Sequence, residues 1–173
     1  YVVNNDRLVQ LESGRLVISE IMYNPAGADT DKEWLEIANP GAEAVSLAGW
    51  TLRDCGVAPE RVIDLPDEML DPGDVFIIGS EGNYADNGGV PVDLEYGLDF
   101  PLPNTVGTLV IFDALGNLVD QVEYSRFGDW PFQTGHSIQL DHPEDDNTLP
   151  GSWSVSKDEY GDGTNFGTPG FTP

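Results

Sequence analysis

Apolar and polar positions alternate along this chain in short runs, and no stretch of a dozen residues carries its apolar positions at helical spacing. Runs rich in β-branched and aromatic residues predict strands over 16–23, 34–38, 45–47 with 50–52, 61–65, 75–78, 108–113, 118–124 and 137–140. Between them stand turn signals such as Asn39-Pro40-Gly41 and Asp71-Pro72-Gly73-Asp74, where Pro presets φ and Gly accepts positive φ. A short Asp113–Asn117 link predicts that 108–124 is a hairpin. In 34–38, Leu35 and Ile37 alternate with Trp34 and Glu36, the pattern of a strand with one face in a core. Leu47-x-x-Trp50-x-Leu52 predicts a kinked strand whose aromatic closes one end of that core. Seven or eight strands without helices predict an all-β fold, either a sandwich or a barrel.

Two stretches carry weaker patterns. Residues 80–104 are rich in Gly, Asn, Asp and Pro and are expected to form a surface excursion. Residues 141–173 hold one strand-like patch at 153–155, then a Gly/Thr/Pro tail whose Phe166 and Phe171 are expected to lie against the domain.

Composition narrows the possible partners. The 173 residues suit one domain, and the formal charge is −24, from 7 Lys+Arg against 31 Asp+Glu. Phosphate backbones are held mainly by Lys and Arg, so this surface is not expected to bind nucleic acid or anionic membrane. Apolar runs of at most four residues exclude a transmembrane helix, so no membrane insertion is expected. Cys55 is the only cysteine, which excludes an internal disulfide. The first residue is Tyr1 and not Met, and further residues are expected to have preceded it.

The order of the motifs supports a resemblance. Ser19-Glu20-Ile21-Met22-Tyr23-Asn24-Pro25, Glu33-Trp34-Leu35-Glu36-Ile37-Ala38-Asn39-Pro40-Gly41 and Val45-Ser46-Leu47-Ala48-Gly49-Trp50-Thr51-Leu52-Arg53-Asp54 resemble the opening of bacterial and archaeal lamin-tail domains. Leu70 to Asp74, the Gly116 to Asp120 turn, Trp130-Pro131, Ser137 to Leu140 and Gly167 to Gly170 follow in the same order. The resemblance implies an immunoglobulin-like antiparallel β-sandwich over 15–173, preceded by an N-terminal segment, 1–14. It also implies a non-enzymatic interaction module, extracellular or at the cell surface, with a protein or cell-surface partner. The contacts with DNA credited to nuclear lamin tails do not carry over, because the bases they need are missing here.

Catalytic signals are weak. His136 and His142 are the only histidines, and no Gly-x-Ser-x-Gly nucleophile elbow accompanies them. Two His and one Cys at these spacings form no zinc motif. Calcium is the one ligand the composition favours, since it takes six to eight hard oxygen ligands. The first candidate set is Asp141, Glu144, Asp145, Asp146 and Asn147; the second is Asp29, Asp31 and Glu33. Glu20 and Glu36, inside predicted strands, are expected to face solvent or to pair with Arg53 or Arg15. A binding surface is expected to show exposed aromatics such as Tyr84 or Trp130.

The N-terminal segment admits three readings. Leu8–Leu11 is apolar enough to add an edge strand to its own sandwich, or 1–14 is a linker, or the strand is donated to a neighbouring copy. Donation would make the chain a structural subunit of a filament or surface layer. An accessory role beside a secreted hydrolase is a third class of function. The charge itself gives a prediction. Salt at physiological strength shortens the screening length to about 8 Å, which relieves self-repulsion, so the thermal midpoint should rise from low to molar NaCl. Calcium should raise it beyond salt of matched ionic strength where a loop holds the ion. Midpoints that stay flat across the salt series would refute the repulsion argument.

Overall fold

A computed structural model describes residues 16–171, so the readings of 1–14 lie outside the described residues. The strands are β1 (Val17–Met22), β2 (Trp34–Ala38), β3 (Val45–Ser46), β4 (Thr51–Asp54), β5 (Arg61–Asp64), β6 (Met69–Leu70) and β7 (Val75–Gly79). They continue with β8 (Leu94–Glu95), β9 (Val106–Phe112), β10 (Leu118–Ser125), β11 (Ile138–Leu140), β12 (Trp153–Val155), β13 (Glu159–Tyr160) and β14 (Asn165–Phe166). Among the described residues, helix is confined to two single 3₁₀ turns, Asp29–Asp31 and Pro150–Ser152, and no helix is long and apolar enough to cross a membrane.

A six-stranded sheet in the order β12-β11-β1-β2-β7-β8 packs against a four-stranded sheet in the order β10-β9-β4-β5. The pairings are antiparallel except β7 with β8. The hairpin expected at 108–124 is β9 and β10, which pair from Val106–Ser125 to Phe112–Leu118. Two small ladders, β3 with β6 and β13 with β14, complete the pairing. Inward side chains of both sheets form one core: Ile18, Ile21, Leu35, Ile37, Phe76 and Ile78 from the larger, and Leu52, Leu109, Ile111, Val122 and Tyr124 from the smaller. This is the antiparallel sandwich that the resemblance implies, and one of the two architectures the strand pattern allows.

Residues 80–104 differ from the expected excursion. Val90, Tyr96, Phe100 and Leu102 are buried, and β8 extends the larger sheet as a parallel edge. The Gly and Asn residues that mark this stretch as loop give it the turns it needs to fold back. Asn87 is itself buried, donating to Glu81 O and Val90 O at 2.9 Å each.

A second fastening joins the two sheets. The Asp120 carboxylate accepts from Ile18 N at 2.8 Å and from Asn147 Nδ2 at 2.7 Å. The Asn147 carbonyl in turn accepts from Trp153 Nε1 at 2.9 Å.

One close approach in the hairpin is open only to glycine. Gly107 stands opposite Tyr124, whose ring stacks 4.5 Å from that of Tyr23 and whose hydroxyl donates to Pro103 O at 3.1 Å. A Cβ at Gly107 would lie within 2.5 Å of the Tyr124 ring. Gly107→Ala is therefore expected to cost about 1–3 kcal/mol in urea unfolding, as overpacking of a filled core does. A variant as stable as the parent would show that Tyr124 can move aside.

Candidate functional site

The larger sheet has its second face buried as well, because the chain from 158 to 171 crosses it as a strap. A β-bulge makes that face unusual. Residues two apart on a strand share a face, so Ile18 and Glu20 would both point inward in a regular β1. The register shifts between Ile18 and Glu20: Ile18 stays opposite Ile37, while Glu20 falls opposite Glu36. Ile21 returns to the core opposite Leu35, and both glutamates face outward, beneath the strap. Beside them Met22, Trp34, Ile77 and Val90 form a second, smaller core with Val92 and Tyr160.

The strap reaches the two carboxylates through its backbone. Glu20 accepts from Thr168 N at 2.8 Å, from Thr168 Oγ1 at 2.7 Å and from the Ser137 hydroxyl. Glu36 accepts from Gly170 N at 2.9 Å and lies 2.7 Å from Ser19 Oγ, the residue at the bulge. Tyr160 anchors the other end: its hydroxyl accepts from Trp34 Nε1 at 3.1 Å, with the two rings edge to face. Glu20 and Glu36 are thus buried and do not face solvent, and among the described residues neither pairs with an arginine; Arg15 lies outside them.

Burial, and then the charge of Glu20, pushes the Glu36 carboxyl up to about 8, with the Ser19 and Gly170 donors opposing. Burial also raises Glu20, but three donors offset part of it. Burial and a neighbouring acid both favour the neutral form of Glu36. The Ser19 hydroxyl donates to Glu36 Oε1, and the Glu36 carbonyl, 3.3 Å away, is its other acceptor.

Next to this clip the strap walls a pocket of about 460 Å³. Tyr84, Gly89 and Pro91 line one side, and Asp158, Glu159, Tyr160, Pro169 and Phe171 the other. Tyr84 is 60% exposed and Phe171 is 72% exposed. Phe171 therefore forms an open wall instead of lying against the domain, whereas Phe166 stacks on His136 at 4.2 Å. Trp130, half-buried, packs against Trp153 at 5.9 Å. The two walls interlock at Gly161, φ +53°, where any Cβ would overlap the Gly88 carbonyl.

The calcium candidates sit apart from the pocket. Glu33 is buried, accepts from Leu102 N at 2.9 Å and is raised to about 8, chiefly by burial. Asp29 accepts from Asn104 Nδ2 at 2.6 Å, and Asp31 is exposed. In the other set Asn147 is buried in the fastening between the sheets, Asp146 accepts from Thr148 N and Oγ1, and Asp141 and Glu144 are exposed. Glu33 and the Asn147 Nδ2 group are therefore engaged in structural hydrogen bonds. Among the described residues no three His, Cys, Asp or Glu side chains converge as a metal group.

The raised Glu36 gives a pH dependence with a definite sign. Its ordinary value is 4.5, so between about 4.5 and about 8 the folded state holds a proton that the unfolded state has lost. Its contribution is complete below 4.5 and disappears as pH rises through about 8. Glu36→Gln mimics the protonated form, so between pH 5 and pH 8.5 it should lose about 2–4 kcal/mol less stability than the parent in urea unfolding. A variant keeping the parental slope would show that Glu36 is already ionised at neutral pH.

Comparison with known proteins places this geometry. No curated protein matches the chain. Among solved structures, the chain is similar to a DUF4876 family protein from Bacteroides thetaiotaomicron, with a TM-score of 0.56 and 15% identity. The match covers 92% of this chain and 72% of that one, and it shows a shared fold. The family model for the Lamin Tail Domain matches residues 10–126, which takes in both sheets through β10. The chain belongs to the lamin tail domain family.

Proposed function

We propose that this domain is a non-enzymatic interaction module, working outside the cell or on its surface, and that the strap pocket is where it meets a protein partner. The observation that carries this reading is an open, aromatic-lined cavity whose walls are fixed by the fold. Aromatic residues on a concave surface with a preorganised backbone are what binding sites use, since less ordering remains to oppose association. The carboxylates with raised proton affinity in β1 and β2 support the same reading. Glu20 and Glu36 hold the strap through its backbone and do not line the pocket.

Charge supports a partner with an excess of bases. The chain carries −24, and several of its own bases are already engaged. Arg61 pairs with Asp54 at 3.1 Å, Arg53 lies over Phe112 at 4.6 Å, and Lys32 pairs with Asp162 at 3.3 Å. Such a surface accelerates encounter with a basic partner and repels acidic ones. An exterior rich in salt or calcium suits this acidity.

Labelled protein applied to intact native cells tests the reading. The parent should be retained on the surface, and Tyr84→Ala combined with Phe171→Ala should lower retention at least about tenfold, as loss of aromatic anchors does. Equal retention of parent and variant would overturn the pocket as the binding site. Confinement of the native protein to the cytoplasmic fraction would overturn the location.

A further inference from the structure

We propose that the strap pocket takes the side chain of a lysine or arginine from the partner polypeptide, laid over aromatic rings and paired with the carboxylates at the rim. This rests on the reading of the domain as a binding module and names the chemistry of that same site. The lining combines the aromatic residues Tyr84, Tyr160 and Phe171 with the acidic residues Asp158 and Glu159, and among the described residues it contains no Lys, Arg or His.

Each part of that lining selects against another occupant. An anionic group would meet two carboxylates in a chain of net charge −24. A purely apolar side chain would take water from Asp158 and Glu159 without replacing it. A lysine or arginine satisfies both halves, because its methylene stem covers apolar surface while its head faces the rings and acids. Lys32 packs beside Gly88 near one wall, but its ammonium is committed to Asp162 at 3.3 Å. At about 460 Å³ the cavity has room for one long side chain and the backbone on either side of it. The close approach of Gly161 to Gly88 holds the backbones of the two walls together.

Four uncharged-flank peptides that differ only in a central Lys, Arg, norleucine or Glu test the proposal on the full chain. Nuclear magnetic resonance would follow the rings of Tyr84, Tyr160 and Phe171. The Lys and Arg peptides should move these resonances and bind at least about tenfold more tightly than norleucine, with the Glu peptide weakest. Tyr84→Ala and Phe171→Ala should each weaken the Lys peptide, and Asp158→Asn with Glu159→Gln should abolish its advantage over norleucine. Far-ultraviolet circular dichroism would confirm that each variant stays folded.

Equal binding of the Lys and norleucine peptides would overturn the proposal. So would Lys binding that survives Tyr84→Ala and Phe171→Ala, which would mark attraction to the acidic surface at large. Cell retention that depends on Tyr84 and Phe171, combined with no preference for Lys or Arg, would leave the module reading standing and remove only the ligand class.

Discussion

Burying a carboxylate costs several kcal/mol unless hydrogen bonds replace its water, and this sandwich buries Glu20 and Glu36 side by side on the face of a sheet. The replacement comes from Thr168, Gly170, Ser137 and Ser19. Without the strap, two acids and the Met22–Trp34 cluster would lie open to water. Without the acids, the strap would rest on a greasy face with two backbone N–H groups unmatched. Each makes the other tolerable, and the pocket exists because the strap is held at that height.

The bulge at Ser19 makes the arrangement possible. By inserting one residue opposite β2, it keeps Ile18 and Ile21 in the main core while turning Glu20 outward to meet Glu36. A regular strand would have driven a charge between the sheets. A similar register shift in β10, between Leu118 and Asp120, accompanies the carboxylate that accepts from Ile18 N. Both irregularities therefore place an acid where a backbone donor needs an acceptor.

Short runs rich in β-branched and aromatic residues made the two main sheets legible from sequence: apolar and polar positions alternate in β2 and β10, while β7 and the end of β9 are unbroken apolar runs. The order of the motifs, not the periodicity, carried the resemblance to the lamin-tail sandwich. What stayed hidden was the second covered face. Glu36 between Leu35 and Ile37 carries the same signature as a solvent-facing charge, and only the strap, more than 120 residues later in the chain, changes its surroundings. The site was half visible: Tyr84 was picked out as an exposed aromatic, whereas its partners Tyr160, Pro169 and Phe171 lie in a tail whose Gly/Thr/Pro content hides its contacts. Of the acidic loops, Asn147 and Glu33 proved to be internal hydrogen-bonding groups, which composition alone cannot distinguish from ligands.

The clip grips the strap chiefly by its main chain. Thr168 N and Gly170 N are donors that almost any residue would supply, while Pro169 and Phe171, between and beyond them, face the pocket. Grip and pocket wall thus share one short segment, and Thr168 belongs to both. Substitutions at 169 and 171 leave the Thr168 and Gly170 amides in place. The shape and polarity of this wall can therefore vary while the clip beneath it persists.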